Sequence, residues 1–140
     1  MKTAMVNTTK IAEPIIKNEV HINEDVKQEL LQDIQVEAQV IVHCTYKGTL
    51  FYDRIRIWKS TFLIAKNSDQ RSNLMHVHNI SFFPIWMSVP PGKTANFTLV
   101  FSALPKDCVE FDLLEIIPEA GGFEFYDIKR NQTDIYHIKF

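Results

Sequence analysis

Four glycines in 140 residues leave little of the backbone freedom that phosphate-cradling loops use. No Gly-x-Ser-x-Gly elbow and no glycine-rich nucleotide loop occurs. The two cysteines, Cys44 and Cys108, allow one disulfide at most, and their spacing does not decide whether they pair. Two thiols this far apart are also too few for a structural zinc site. No apolar run approaches the ~20 residues of a membrane span. Basic charge is not in excess either: 15 Lys and Arg stand against 17 Asp and Glu, for a net charge of −2. Residues 36–140 carry eleven of each sign, so residues 1–35 supply the whole imbalance. A chain without a basic stripe is not built for nucleic acid, and no anionic-membrane patch stands out along it. Residues 1–13 lack the apolar centre of a signal peptide, which makes the cytoplasm the expected compartment. Sequons at Asn7, Asn79, Asn96 and Asn131 matter only on a glycosylating route and are read as chance.

What is present is apolar and aromatic. Hydrophobic residues make up 46% of the chain, including ten Phe, four Tyr and two Trp. That is enough for one core in a single domain without staples. The clearest pattern lies in residues 95–117. Phe97, Leu99 and Phe101 alternate with Thr98, Val100 and Ser102, and Phe111, Leu113 and Ile117 repeat the alternation after a turn at residues 105–107. A side-chain period of two marks strands, joined here as a hairpin or as a sheet-to-sheet crossing.

Residues 36–46 give another strand, with Val36, Ala38, Val40, Val42, Cys44 and Tyr46 on one face. One apolar face and one mostly polar face is the antiparallel pattern. In residues 51–65, Ile55 and Ile57 alternate with Arg54 and Arg56, and Trp58, Phe62 and Ile64 then fall in the other parity. This predicts a bulge or bend at residues 58–60. Residues 67–73 read as a polar loop, and Val89-Pro90-Pro91-Gly92 as a turn. Residues 123–128 and 135–140 supply the last strands. Near the N-terminus, residues 1–13 read as a loose arm and residues 14–22 as an irregular first strand. Asn23 caps a short amphipathic helix carrying Val26, Leu30 and Ile34. The expected architecture over residues 14–140 is an antiparallel β-sandwich with one short N-terminal helix.

Several groups of residues are candidates for chemistry. His76 and His78, at i and i+2 on a strand, share a face and can both reach one divalent transition metal. With Pro91-Gly92 downstream they resemble part of a cupin metal motif, without its Glu or its further His. The alternative is a pair of surface histidines and no cofactor. Arg54 and Arg56 share a strand face and can clamp a carboxylate or phosphate, or else pair with acids on a neighbouring strand. Phe82, Phe83 and Trp86 cannot all face inward if extended, so some aromatic surface is expected outside, as at protein interfaces. Glu115 shares the parity of Phe111 and Leu113, which turns a carboxylate inward and demands a partner, an arginine or a backbone amide. Residues 130–134 read as turn chemistry, with Asn131 or Asp134 capping amides and Arg130 pairing locally.

The segments Ser60-Thr61-Phe62-Leu63-Ile64, Phe97-Thr98-Leu99-Val100-Phe101, Leu104-Pro105-Lys106-Asp107-Cys108, Phe111-Asp112-Leu113, Gly121-Gly122-Phe123 and Arg130-Asn131 through Asp134-Ile135-Tyr136 resemble a group of uncharacterised bacterial β-sandwich proteins. The strand–Leu-Pro–strand segment also looks similar to immunoglobulin-like domains on bacterial surfaces. The resemblance implies an immunoglobulin-like sandwich and no known activity. The functional expectation is a non-enzymatic module that binds another protein through aromatic surface. The alternatives are a small cupin-like metal-dependent enzyme on His76 and His78, or a domain binding a small ligand or carbohydrate through the same aromatics.

Overall fold

The computed structural model describes residues 38–140; the expected arm, first strand and N-terminal helix lie outside the described residues. The described part is mainly β. In chain order the strands are β1 (Val40–Lys47), β2 (Asp53–Ile55), β3 (Thr61–Ala65), β4 (Arg71–His78), β5 (Met87–Val89), β6 (Thr94–Phe101), β7 (Glu110–Glu115), β8 (Glu124–Lys129) and β9 (Ile135–Lys139). Seven of them form one curled sheet in the order β8-β7-β3-β4-β6-β1-β9, and β2 and β5 form a separate two-stranded ribbon. No helix among the described residues is long and apolar enough to cross a membrane.

The curl follows from β4. Its first residues pair with β3 (Phe62↔Asn73) and its later ones with β6 (His78↔Thr98), with a register shift between Leu74 and His76. A bulge of this kind bends the strand and raises its twist. The two halves of the sheet therefore face each other. Phe111 on β7 meets Tyr136 on β9 edge to face at 5.1 Å between ring centroids, and Phe140 packs on Phe97, Phe123 and Phe125. The inward rows are those that alternation predicts. Val40, Val42 and Cys44, then Phe97, Leu99 and Phe101, then Phe111 and Leu113 are all buried. The segment 102–109 crosses between the halves, because β6 pairs with β1 and β4 while β7 pairs with β3 and β8.

Three features depart from the expectation. First, the sheet is mixed rather than purely antiparallel, because β9 joins the free edge of β1 in parallel (Ile41↔Ile135 to Thr45↔Lys139). The turn at 130–134 does not close a β8–β9 hairpin; it carries the chain across to the other half. Second, the break at residues 58–60 occurs, yet the odd positions stay inside across it. Ile55, Ile57, Thr61, Leu63 and Ala65 are buried, while Phe62 and Ile64 lie half-covered on the outer face. Third, residues 71–73 belong to β4 rather than to the polar loop. Ser72 is buried because its hydroxyl donates to the Ser102 carbonyl, and the Asn73 amide donates to Ser102 Oγ at 2.9 Å. A small polar residue bonded to the next strand stands in for an apolar one.

Both cysteines are free and buried. Burial pushes the Cys44 thiol up to about 12. The thiolate is the nucleophile, so Cys44 is inert while the fold holds. Iodoacetamide at neutral pH is expected to label neither thiol in the native protein and both after unfolding in urea, read by intact mass. Labelling of Cys44 in folded protein contradicts this packing.

Candidate functional site

Among the described residues, a cluster of aromatic and cationic side chains is built on the β2–β5 ribbon. Ile55 pairs with Met87, and Arg54 with Ser88. Ile55 and Ile57 point into the core, and alternation turns Arg54 and Arg56 to the other face. Beyond the ribbon the chains stay in touch through a bridge between Ile57 and Phe82, with Ile57 N donating to the Ser81 carbonyl and Phe83 N to the Ile57 carbonyl. Residues 82–86 then form a tight turn containing a cis Phe83–Pro84 peptide. Ile85 N donates to the Phe82 carbonyl, and Ser81 Oγ to that of Ile85.

This turn brings Phe83 and Trp86 onto the face that carries the arginines. The Arg56 guanidinium lies over the Trp86 ring at 3.6 Å from its centroid and over Phe83 at 4.7 Å, and it donates to the Pro84 carbonyl at 3.1 Å. Arg54 lies over the same Trp86 ring at 4.8 Å. Phe83 stacks on Trp58, with centroids 3.8 Å apart and planes 25° from parallel. The result is a ladder in the order Arg54, Trp86, Arg56, Phe83, Trp58. Arg56 is its buried rung, with a side chain only 12% exposed and a 3.5 Å ion pair to Glu119. Phe83 and Trp86 keep 44% and 43% of their surface, and Ile85 beside them keeps 66%. Each cation–π contact is worth about 0.5–1 kcal/mol when exposed and ~2 when desolvated, so Arg56 holds the ladder together more than Arg54 does.

Glu115 supports the base of the ladder. It is buried at the end of β7, where its carboxylate accepts the Trp58 amide at 2.9 Å and the Phe123 amide at 3.2 Å. Burial pushes its pKa up from the ordinary 4.5, against the two amides and the Arg56 charge, which pull it down. The inward acid that strand parity predicts is therefore satisfied by amides and an arginine. Trp58 and Glu119 enter the site without a sequence signal that ties them to it. Trp58 stands where the strand breaks, and Glu119 lies in a turn between β7 and β8.

The five predicted binding residues are thus neighbours, with one difference in kind. Phe82 turns back, half-buried against the core, with Lys59 Nζ 5.4 Å from its ring. His76 and His78 lie elsewhere, exposed on the outer face of β4, opposite Val100 and Thr98. Thr98 in turn stands beside His43, whose Nδ1 is 2.9 Å from Thr98 Oγ1, and the His43 ring lies tilted beside that of His137, with centroids 5.1 Å apart. Among the described residues no group of three or more His, Cys, Asp or Glu is placed to hold a metal ion. Two imidazoles fall short of the three or four protein ligands that zinc sites use.

Residues 130–134 carry the expected turn chemistry. Asn131 Oδ1 accepts the amides of Thr133 and Asp134 at 3.1 and 2.7 Å, and Arg130 makes a two-pronged pair with Asp134 at 3.1 and 3.0 Å. Compared with family models, curated proteins and solved structures, the chain matches none.

Proposed function

We propose that this domain is an immunoglobulin-like β-sandwich that serves as a non-enzymatic interaction module and docks another protein on the Arg54–Trp86–Arg56–Phe83 face. The observation that carries the reading is the half-exposed ladder itself. Aromatic and arginine side chains, held rigid by stacking and left partly open to solvent, are the residue types that dominate interface energetics. The preset geometry lowers the ordering cost of association. Arg54, at the open end of the ladder, makes no ion pair among the described residues, and its guanidinium can receive a carboxylate from the partner. The facing sheet halves and the β6-to-β7 crossing support the sandwich reading.

Gentle purification of the full chain from its own cells, followed by native mass spectrometry, tests this. A co-purifying protein is expected with the wild type and is expected to be lost with Trp86→Ala. The same variant is expected to lose no more than about 3 kcal/mol of stability, because it removes one exposed cation–π contact, to Arg54, and one largely desolvated contact, to Arg56. A partner retained by Trp86→Ala, or a larger loss of stability, overturns the site. A wild-type mass carrying one metal ion and no protein moves the reading to His76 and His78.

A further inference from the structure

Three consecutive large apolar side chains stand among the most exposed of the described part. Leu50, Phe51 and Tyr52, between β1 and β2, keep 86%, 76% and 73% of their surface. They are not a frayed loop. Gly48 N donates to the Lys93 carbonyl and Gly92 N to the Thr49 carbonyl, both at 2.8 Å, so the loop is knitted to the neighbouring β5–β6 turn. A Cβ at Gly48 would lie 2.6 Å from the Lys93 carbonyl oxygen, so the close approach needs glycine. Within the loop, Asp53 accepts from the Thr49 amide at 2.9 Å, from Thr49 Oγ1 at 3.2 Å and from the Tyr46 hydroxyl at 3.2 Å; Thr49 Oγ1 in turn accepts the Phe51 amide at 3.1 Å. Asp53, at the start of β2, is the only acid in residues 47–53 and 90–94, and these bonds occupy it. Lys47 and Lys93, both exposed, meet at the base of the tip, where Lys47 pairs with Thr94 and the Gly48 amide donates to the Lys93 carbonyl.

We propose that this tip is a membrane-surface anchor that inserts Leu50 and Phe51 between anionic lipids. A tip of three consecutive exposed apolar side chains fits the headgroup–acyl boundary. There Leu and Phe gain an apolar environment and Tyr sits at headgroup level. The two lysines at the base of the tip bring positive charge to the level of the lipid phosphates, where basic residues are attracted to anionic leaflets. The bonds through Asp53 and Gly48 preset the loop, so insertion carries little ordering cost. The basic residues are far apart in sequence, at 47 and 93, and only the pairing of Lys47 with Thr94 places them together. The anchor stands on residues apart from the ladder, and either assignment can fail without the other.

Co-sedimentation of the full chain with phosphatidylcholine vesicles, with and without phosphatidylserine, is the test. Binding is expected with phosphatidylserine and much weaker binding without it. Leu50→Ser with Phe51→Ser is expected to weaken binding more than about tenfold, since burying one such side chain is worth at least that factor. Lys47→Ala and Lys93→Ala are each expected to weaken it about fivefold, and salt to weaken the wild type. If the serine variant unfolds by circular dichroism, Lys47→Glu with Lys93→Glu leaves the apolar tip intact and must still abolish binding. No binding to phosphatidylserine vesicles, or binding that survives these variants, overturns the proposal. So does a serine variant that dissociates a dimer while its vesicle binding is unchanged, which assigns the tip to a second copy of the chain.

Discussion

Arg130→Met is expected to destabilise the protein by about 3 kcal/mol, which for a domain of this size lowers the melting temperature by roughly 10 °C. Arg130 is more than a surface ion pair. Its side chain is 19% exposed and that of Asp134 18%. The guanidinium grips both Asp134 oxygens, and its Nη1 also donates to the carbonyls of Pro105 at 2.5 Å and Cys108 at 3.2 Å. Asp134 Oδ1 then accepts the Tyr136 hydroxyl at 3.0 Å, and that hydroxyl oxygen accepts the Asn131 amide, also at 3.0 Å. One side chain thus joins the 102–109 crossing to the turn that sends β9 across the fold. Removing it leaves two carbonyls and a carboxylate partly buried without their donor, and each such orphan costs about 1–3 kcal/mol. Tyr136→Phe, which removes one hydroxyl, is expected to cost about 1 kcal/mol. Urea denaturation of the three proteins checks both values, and an Arg130→Met loss below that of Tyr136→Phe refutes the network.

Glu115→Ala is expected to cost about 2–4 kcal/mol, because it strands the Trp58 and Phe123 amides at the base of the ladder. It also removes a buried negative charge that acts on Arg56 beside its ion pair with Glu119. Indole fluorescence is expected to change with stability, since Trp58 loses its anchor. The pH dependence has a definite sign. Burial raises the folded pKa of Glu115 above its ordinary 4.5. The folded state therefore holds this proton more tightly than the unfolded chain. Its contribution is fully present below pH 4.5 and is lost as pH rises through the higher folded value. Glu115→Gln cannot titrate, so the difference in stability between wild type and Gln variant is expected to shift against the wild type across that window. A difference that stays flat, measured by urea titration at successive pH values, contradicts the burial of this carboxylate. Glu115→Gln keeps one acceptor oxygen and is expected to cost less than Glu115→Ala.

Much of the strand inventory is legible in the sequence. The rows at 97–101 and 111–113, the inward turn of Glu115 and the Asn131 turn all follow from alternation and turn chemistry, which act between near neighbours; the break at 58–60 is present, but without the switch of parity that predicts it. Residues 71–73 are not legible in this way, because Ser72 is buried through a bond to Ser102, thirty residues on. The parity at 62–64 misleads for a related reason. The outer face of β3 is half-covered, with the Arg71 guanidinium 4.7 Å from the Phe62 ring, so apolar residues sit comfortably on it.

The candidate site divides in the same way. Arg54 and Arg56 on one face, and aromatic surface near residue 86, are local consequences of a period of two and of Pro84 in an aromatic run. Their meeting is not local. It depends on β2 pairing with β5 across more than thirty residues, and on Glu115 reaching Trp58 from β7. The sequence by itself determined most of the strands and which way most of their residues point, because side-chain alternation is a property of each strand alone. The parallel seating of β9 on β1, the stacking of Arg56 between Trp86 and Phe83, and the meeting of two distant lysines at the base of the 50–52 tip were decided only by the tertiary structure. Strand partners are chosen by burial and hydrogen-bond closure across the whole chain, and no window of neighbouring residues contains that choice.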